Sequence, residues 1–318
     1  MGNIVRLLSF VVQRLLSMAV ILLAVSALTF FLLAEAPGDP IRVNLAQHAS
    51  PDTIKQLDHQ YGLDLPMWQR YANYLGGLLH GDLGKSLVLP GTPVTDILRN
   101  GLPVSLALGG WALLVSLLVG IPLGVLAAIR QNRLIADNVN MGIMLVLYSV
   151  PPFVLIPFVV DLFSIQFGWL PAGQWGDPGW QGIKEMVLPV SVYAAGLIGF
   201  FARSVRSFML EVLHQDYIRL ARAKGLTNRK VIYVHAMKNT LLPFASVLGP
   251  TIAFLVVGSF VVEFLFSING IGYVTVQSTL AGDFTVTEAT TLVLATAVVL
   301  VNALTDIFYT LVDPRVKL

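Results

Sequence analysis

The chain has 318 residues, 56% of them apolar and only 12% charged, with a net charge of +2. Soluble domains carry about 25% charged residues, so this composition, with a mean hydropathy of +0.76, excludes an ordinary soluble domain and places the chain in the membrane class. The absence of cysteine excludes disulfides and Cys-based metal or redox sites.

Six stretches between consecutive ionisable residues are long and apolar: 15–34, 100–129, 138–160, 186–202, 239–262 and 289–305. A spanning helix needs about 20 residues, with a range of about 17–25. The two shortest runs, 186–202 and 289–305, are at that limit and are expected to extend past a flanking charge. Barrel strands would alternate in polarity over about 10 residues. These runs are apolar all round, and in lipid the backbone must pair within the segment, so helix is the reading. The expected fold is an all-α membrane protein with six transmembrane helices.

In chain order, a short basic segment precedes the first run. Ala34-Glu35-Ala36 resembles a signal-peptidase site, but a 20-residue run is longer than a signal core, so a retained helix is expected. Pro37-Gly38-Asp39-Pro40 predicts a rigid turn. An external segment then reaches about residue 99. Ser50-Pro51 predicts a helix start, with Gly62 past its end. A second helix is predicted from Pro66 to about His80, with Trp68, Tyr71, Leu75 and Leu78 on one face, packed on the membrane or on neighbouring elements. His80–Ser86 ends in Gly84-Lys85-Ser86 like a phosphate-binding loop, but Leu79 stands where the first glycine is required, so an ordered loop is the reading. Beyond residue 100 the spans are joined by tight loops except at 167–185, rich in Gly, Pro and Trp, and at 203–238. Pro243 fits the first turn of the fifth span, where its missing N–H costs little.

Charge sets the expected orientation. With both termini inside, inner segments carry 14 Lys and Arg and outer segments 6; without the long segment after the first helix the ratio is 14 to 1. Both termini are therefore expected in the cytoplasm. His48, His59, His80, His214 and His235 show no metal-ligand spacing, and no nucleophile or acid–base pair stands out, so no enzymatic activity is expected. Asp161, Glu263 and Asp306 lie at span edges. They are either solvated or paired there, or line a polar path, for which Glu263 is the stronger candidate.

The segment Asp216–Lys230, DYIRLARAKGLTNRK, holds five basic residues on the inner side. Asp216 is placed to cap a helix over Tyr217–Lys224, and Gly225 sits where a left-handed cap belongs. Ile218, Ala221 and Gly225 fall near one face, small enough for another surface to approach. Topology setting and lipid-headgroup binding are open to it. Isolated helices this short are marginal, which favours docking to a protein partner that orders it.

The segment Glu211–Leu226, EVLHQDYIRLARAKGL, followed by His235–Asn239 and Leu241-Leu242-Pro243, resembles the EAA-type loop of ABC importer permeases. It is most similar to the dipeptide/oligopeptide/nickel group in its "B" subunit form. Pro37–Pro40, Tyr61–Pro66, Gly81–Gly84, Ile121–Ala127 and Asp313–Arg315 match as well, so the resemblance runs nearly end to end. It implies a type I ABC importer transmembrane fold, with an N-terminal helix and external segment over 1–100 and a permease core over 101–318 containing the loop 203–238. It further implies a second homologous permease, usually making a heterodimer, two cytoplasmic ATPase subunits that bind ATP and Mg, and an extracytoplasmic solute-binding protein; nucleic acid is not an expected partner. By that resemblance Asp216, Tyr217, Arg219, Ala221, Arg222, Ala223, Lys224 and Gly225 couple the permease to the ATPase, while Glu263 and Asp161 belong to the solute pathway. Peptide is the expected cargo, with nickel, glutathione or another small solute in the same architecture. Arg219 and Leu220 depart from the general motif, Asn269–Tyr273 lacks a usual Pro and Arg, and Thr285-Val286 replaces a common Tyr-Pro.

Overall fold

A computed structural model describes residues 2–35, 52, 56, 59, 62–89, 91–131, 134–176 and 180–312. The expected turn at 37–40, the helix start at 50–51 and the tail 313–315 lie outside the described residues. The helices are α1 (Gly2–Ala34), α2 (Met67–Leu79), α3 (Val94–Ile129), α4 (Leu134–Ser149), α5 (Pro152–Val160), α6 (Trp180–Leu213), α7 (Asp216–Ala223), α8 (Met237–Leu265), α9 (Ile271–Leu280) and α10 (Phe284–Val312). Among the described residues five helical stretches are long and apolar enough to cross a membrane: Val12–Ala34, Val94–Ile129, Gln181–Leu213, Asn228–Leu255 and Phe284–Ile307. The two short apolar runs do extend past their flanking charges.

The third run departs from expectation. It is not one straight span but a pair, Val139–Ser149 and Pro152–Gln166, bent by 99°. The cause is Pro151-Pro152. Pro151 is extended (φ −64°, ψ 147°), because a residue before proline is driven out of the α region, and neither proline can donate to the preceding turn. Pro243 departs too. The helical path begins upstream, at a turn Asn228–Lys230 that runs through a π-turn, Val231–Ala236, into α8. Pro243 therefore lies inside the helix rather than in its first turn.

The chain forms two compact units, one of Met1–Ser105 with Asn269–Leu318 and one of Leu106–Ile268. In the first, α1 packs on α10, and Arg14 near the start of α1 pairs with Asp306 near the end of α10. This ion pair brings the N-terminal end of α1 and the C-terminal end of α10 to one level. Tyr71 and Tyr74 of α2 pack on Phe30 at 5.2 and 6.0 Å between ring centroids, and Arg70 lies over the same ring. Trp68, expected on the packed face, is instead 67% exposed. The inner stripe of α2 runs through Arg70, Tyr71 and Tyr74, because Phe30 supplies an aromatic partner that periodicity alone does not locate.

In the second unit α6 is the central helix, packed against α4, α5 and α8. Its core joins Phe201, Val205, Met209 and Val212 of α6 to Val125 and Ala128 of α3 and Phe244 of α8. Phe201 and Phe244 meet edge to face at 5.4 Å. Two glycines one turn apart, Gly120 and Gly124, let α3 lie directly on α6. A Cβ on Gly124 would stand 2.5 Å from the Ala202 carbonyl oxygen and 2.7 Å from the Val205 Cβ. Small residues four apart are the usual device for close approach of membrane helices, where apolar burial gives no drive between helices. The outer faces carry Leu16, Val20 and Leu28 on α1 and Val146 and Phe158 on the bent pair, all exposed and suited to hydrocarbon.

Candidate functional site

The basic segment folds as expected in outline and differs in detail. The helix α7 spans Asp216–Ala223. Its N-cap is Gln215, extended at φ −71° and ψ 149°, with no side-chain cap bond. Asp216 is thus the first helical residue, not the cap. It still favours the positive end of the helix dipole and sits 3.4 Å from Arg219, one turn on. The C-terminal end is as the sequence predicts. Gly225 has φ +76°. Its N–H donates to the Arg222 carbonyl at 3.0 Å, and the Leu226 N–H donates to the Ala221 carbonyl at 3.3 Å. This paired closure satisfies the last carbonyls and ends the helix sharply.

No atom would meet a Cβ on Gly225, so only its backbone conformation demands glycine. Gly225→Val is therefore expected to cost about 1–2 kcal/mol of local stability and to fray α7, while Gly225→Asn is tolerated. Amide hydrogen exchange at Ala223–Leu226 measures the difference.

The small face points the other way from expectation. Ile218 is fully buried and Ala221 nearly so, in the same core as Val205, Met209, Val231 and Ile232. They anchor α7 to its own chain rather than admitting a partner. An eight-residue helix must bury some apolar stripe to persist, and α6 offers the nearest apolar surface. At about 100° per residue, Leu220 and Ala223 then point directly away from that core, with Tyr217 and Lys224 on one flank and Arg219 and Arg222 on the other. Leu220 is 56% exposed and Tyr217 43%, on a helix too short to span a membrane.

The pathway candidates are not brought to one surface. Asp161 is exposed and accepts from the Gln166 amide at 2.6 Å. Glu263, expected near water at a span edge, is fully buried in the last turns of α8. The His80–Ser86 loop is an ordered element. Gly81 and Gly84 both take positive φ, at 76° and 80°, and Lys85 forms an isolated bridge with Pro93.

One residue that the sequence reading missed orders this loop. Asp283, almost fully buried before α10, accepts from the Ser86 hydroxyl, from the Leu87 N–H at 3.1 Å and from the Val88 N–H at 3.3 Å. It also caps α10 through the Val286 N–H. Only folding brings Ser86 and Asp283 together, and an Asp before a helix reads simply as a cap. Asp283→Ala leaves several buried donors without an acceptor and is expected to cost about 3 kcal/mol or more. A lower melting temperature together with lost exchange protection at Leu87 and Val88 would register it.

Comparison with known proteins agrees in extent. Residues 120–318 match the family described as "Binding-protein-dependent transport system inner membrane component", and residues 7–108 match its N-terminal counterpart. The chain is similar to the dipeptide transport system permease protein DppB of Bacillus subtilis (strain 168), 37% identical over 309 residues, 97% of this chain and 98% of that protein. It is also similar to the oligopeptide transport system permease protein OppB of Haemophilus influenzae, 34% identical over 313 residues, covering 98% of this chain and 100% of that protein. OppB of Escherichia coli (strain K12) matches at the same identity and coverage.

Proposed function

The chain belongs to the family of binding-protein-dependent transport system inner membrane components, and we propose on that footing that it is one permease half of an ATP-driven peptide importer. Peptide cargo rests on the names of the similar permeases; nickel, glutathione or another small solute fits the same architecture. The chain pairs with a second homologous permease. Two ATPase subunits, which hold ATP and Mg, engage it from the cytoplasm, and an extracytoplasmic binding protein delivers solute. Both termini lie in the cytoplasm, in keeping with the excess of Lys and Arg on that side. The permease itself has no catalytic site.

The observation that carries this reading is α7, a short helix anchored to α6 by Ile218 and Ala221 while it holds Leu220 out to solvent. Asp216, Tyr217, Arg219, Ala221, Arg222, Ala223, Lys224 and Gly225 form the coupling element, with separate tasks. Ala221 ties the helix to the membrane core and Gly225 ends it. Leu220 and Ala223 meet the ATPase, flanked by Tyr217 and Lys224. Asp161 is a pathway residue in this reading, and Glu263 joins the path in a conformation that uncovers it.

Affinity purification of the tagged chain from native membranes tests the proposal. A second permease, two ATPase subunits and a peptide-loaded binding protein are expected together. Recovery of the chain with no ATPase, alongside ion-gradient-driven transport by the chain alone, would point to a secondary transporter instead.

A further inference from the structure

Behind α7, within the second unit, is a cavity of about 310 Å³. Four segments enclose it: the end of α3, the end of α6, the arginine flank of α7 and the turn at Asn228. Its polar wall consists of Gln131, His214, Arg219, Arg222 and Asn228, and no carboxylate lines it. The His214 Nδ1–H donates to the Leu210 carbonyl at 2.6 Å, which fixes the ring. Arg219 makes only a long, exposed contact to Asp216. Arg222 makes no hydrogen bond or ion pair with any described residue. Two guanidinium groups beside one cavity, with only amides and an imidazole around them, select an anion with several acceptor oxygens.

The floor of the cavity identifies the source of that anion. It is apolar, formed by Ile129 and Leu213, the last residues of α3 and α6. Both helices are long enough to span the membrane, so the cavity opens where they leave the hydrocarbon. Donors above an apolar floor at that level match a phospholipid, with phosphate above and glycerol and acyl chains below. We propose that this cavity binds the phosphate of an anionic phospholipid headgroup, and that the lipid braces α7 from the side opposite its Tyr217 and Lys224 flank. Arg219 and Arg222 then hold the membrane, leaving Leu220 and Ala223 for the ATPase. The inference rests on the reading above only for placing α7 at the cytoplasmic leaflet.

The test uses the purified full-length chain without ATPase, so a failure of the coupling assignment is read separately. The chain is taken from nanodiscs of equal parts phosphatidylcholine and phosphatidylglycerol, and retained lipid is counted by native mass spectrometry. One phosphatidylglycerol per chain is expected, preferred over phosphatidylcholine roughly 10-fold, the scale for two basic side chains at a headgroup. Arg219→Gln with Arg222→Gln abolishes the preference. Arg229→Gln with Lys230→Gln, both exposed and outside the cavity lining, leaves it intact. Equal loss in the two double variants means diffuse electrostatics and overturns the proposal. So does a chain with no phosphatidylglycerol preference whose melting temperature rises with inorganic phosphate, because the site then takes a free anion. A double variant that keeps its lipid preference but loses the ATPase assigns the arginines to the protein partner, which also overturns it.

Discussion

Leu220→Asp is expected to strip the ATPase subunits from the purified complex and to lower peptide uptake by at least about 10-fold, while the chain remains in the membrane at its normal level. The asymmetry follows from where the side chain sits. Leu220 is 56% exposed and contributes nothing to the core that holds α7, so a charge there leaves the fold alone. At a protein interface the same change removes apolar burial and adds a desolvated carboxylate. Ile218→Asp should behave in the opposite order. Ile218 is fully buried against α6 and the π-turn, so that variant should fail to accumulate before any question of coupling arises. Quantitative membrane immunoblots, ATPase co-purification and uptake separate the two. Uptake unchanged in Leu220→Asp would remove α7 from the coupling path.

Gly124→Val is expected to be the most damaging small substitution in the membrane part. Its Cβ alone would overlap the Ala202 carbonyl and Val205, and the two further methyl groups have nowhere to go. Overpacking against backbone that cannot move costs about 3 kcal/mol or more. Because α7 hangs from α6, displacement of α6 by α3 should also disturb the coupling helix. Gly110→Ala, on the same helix, is the control. Nothing lies within 4 Å of its added Cβ, so the gain in helix propensity, up to about 1 kcal/mol, is not offset. The two melting temperatures in detergent should move in opposite directions. A Gly124→Val chain that melts like the unsubstituted one would mean that α3 and α6 are not in close contact.

The sequence carries those features that depend on local chemistry. Spans show as charge-free runs because lipid forbids unpaired polar groups. The end of α7 shows because a glycine after a basic residue suits a left-handed cap, and Gly225 takes that conformation. The Gly120–Gly124 pair was equally legible, though the runs read for length alone hide it. The bend at Pro151-Pro152 was hidden in the same way, since hydropathy counts a kinked run and a straight one alike. What depends on distant partners was not legible. Ile218 and Ala221 could have faced either the chain or a partner until α6 was in place. Asp283 meets Ser86 only after folding. Trp68 looks like a packed residue until Phe30 draws the other side of α2 inward.

The chain has no cysteine, so single introduced cysteines report without background. The most direct test of the account is cross-linking of a Leu220→Cys chain in native membranes that contain the whole importer. The account predicts a cross-link to an ATPase subunit, with a membrane-impermeant thiol reagent blocking it only from the cytoplasmic side. Labelling of Leu220→Cys from the outer face, or a cross-link to the binding protein in place of the ATPase, would contradict it.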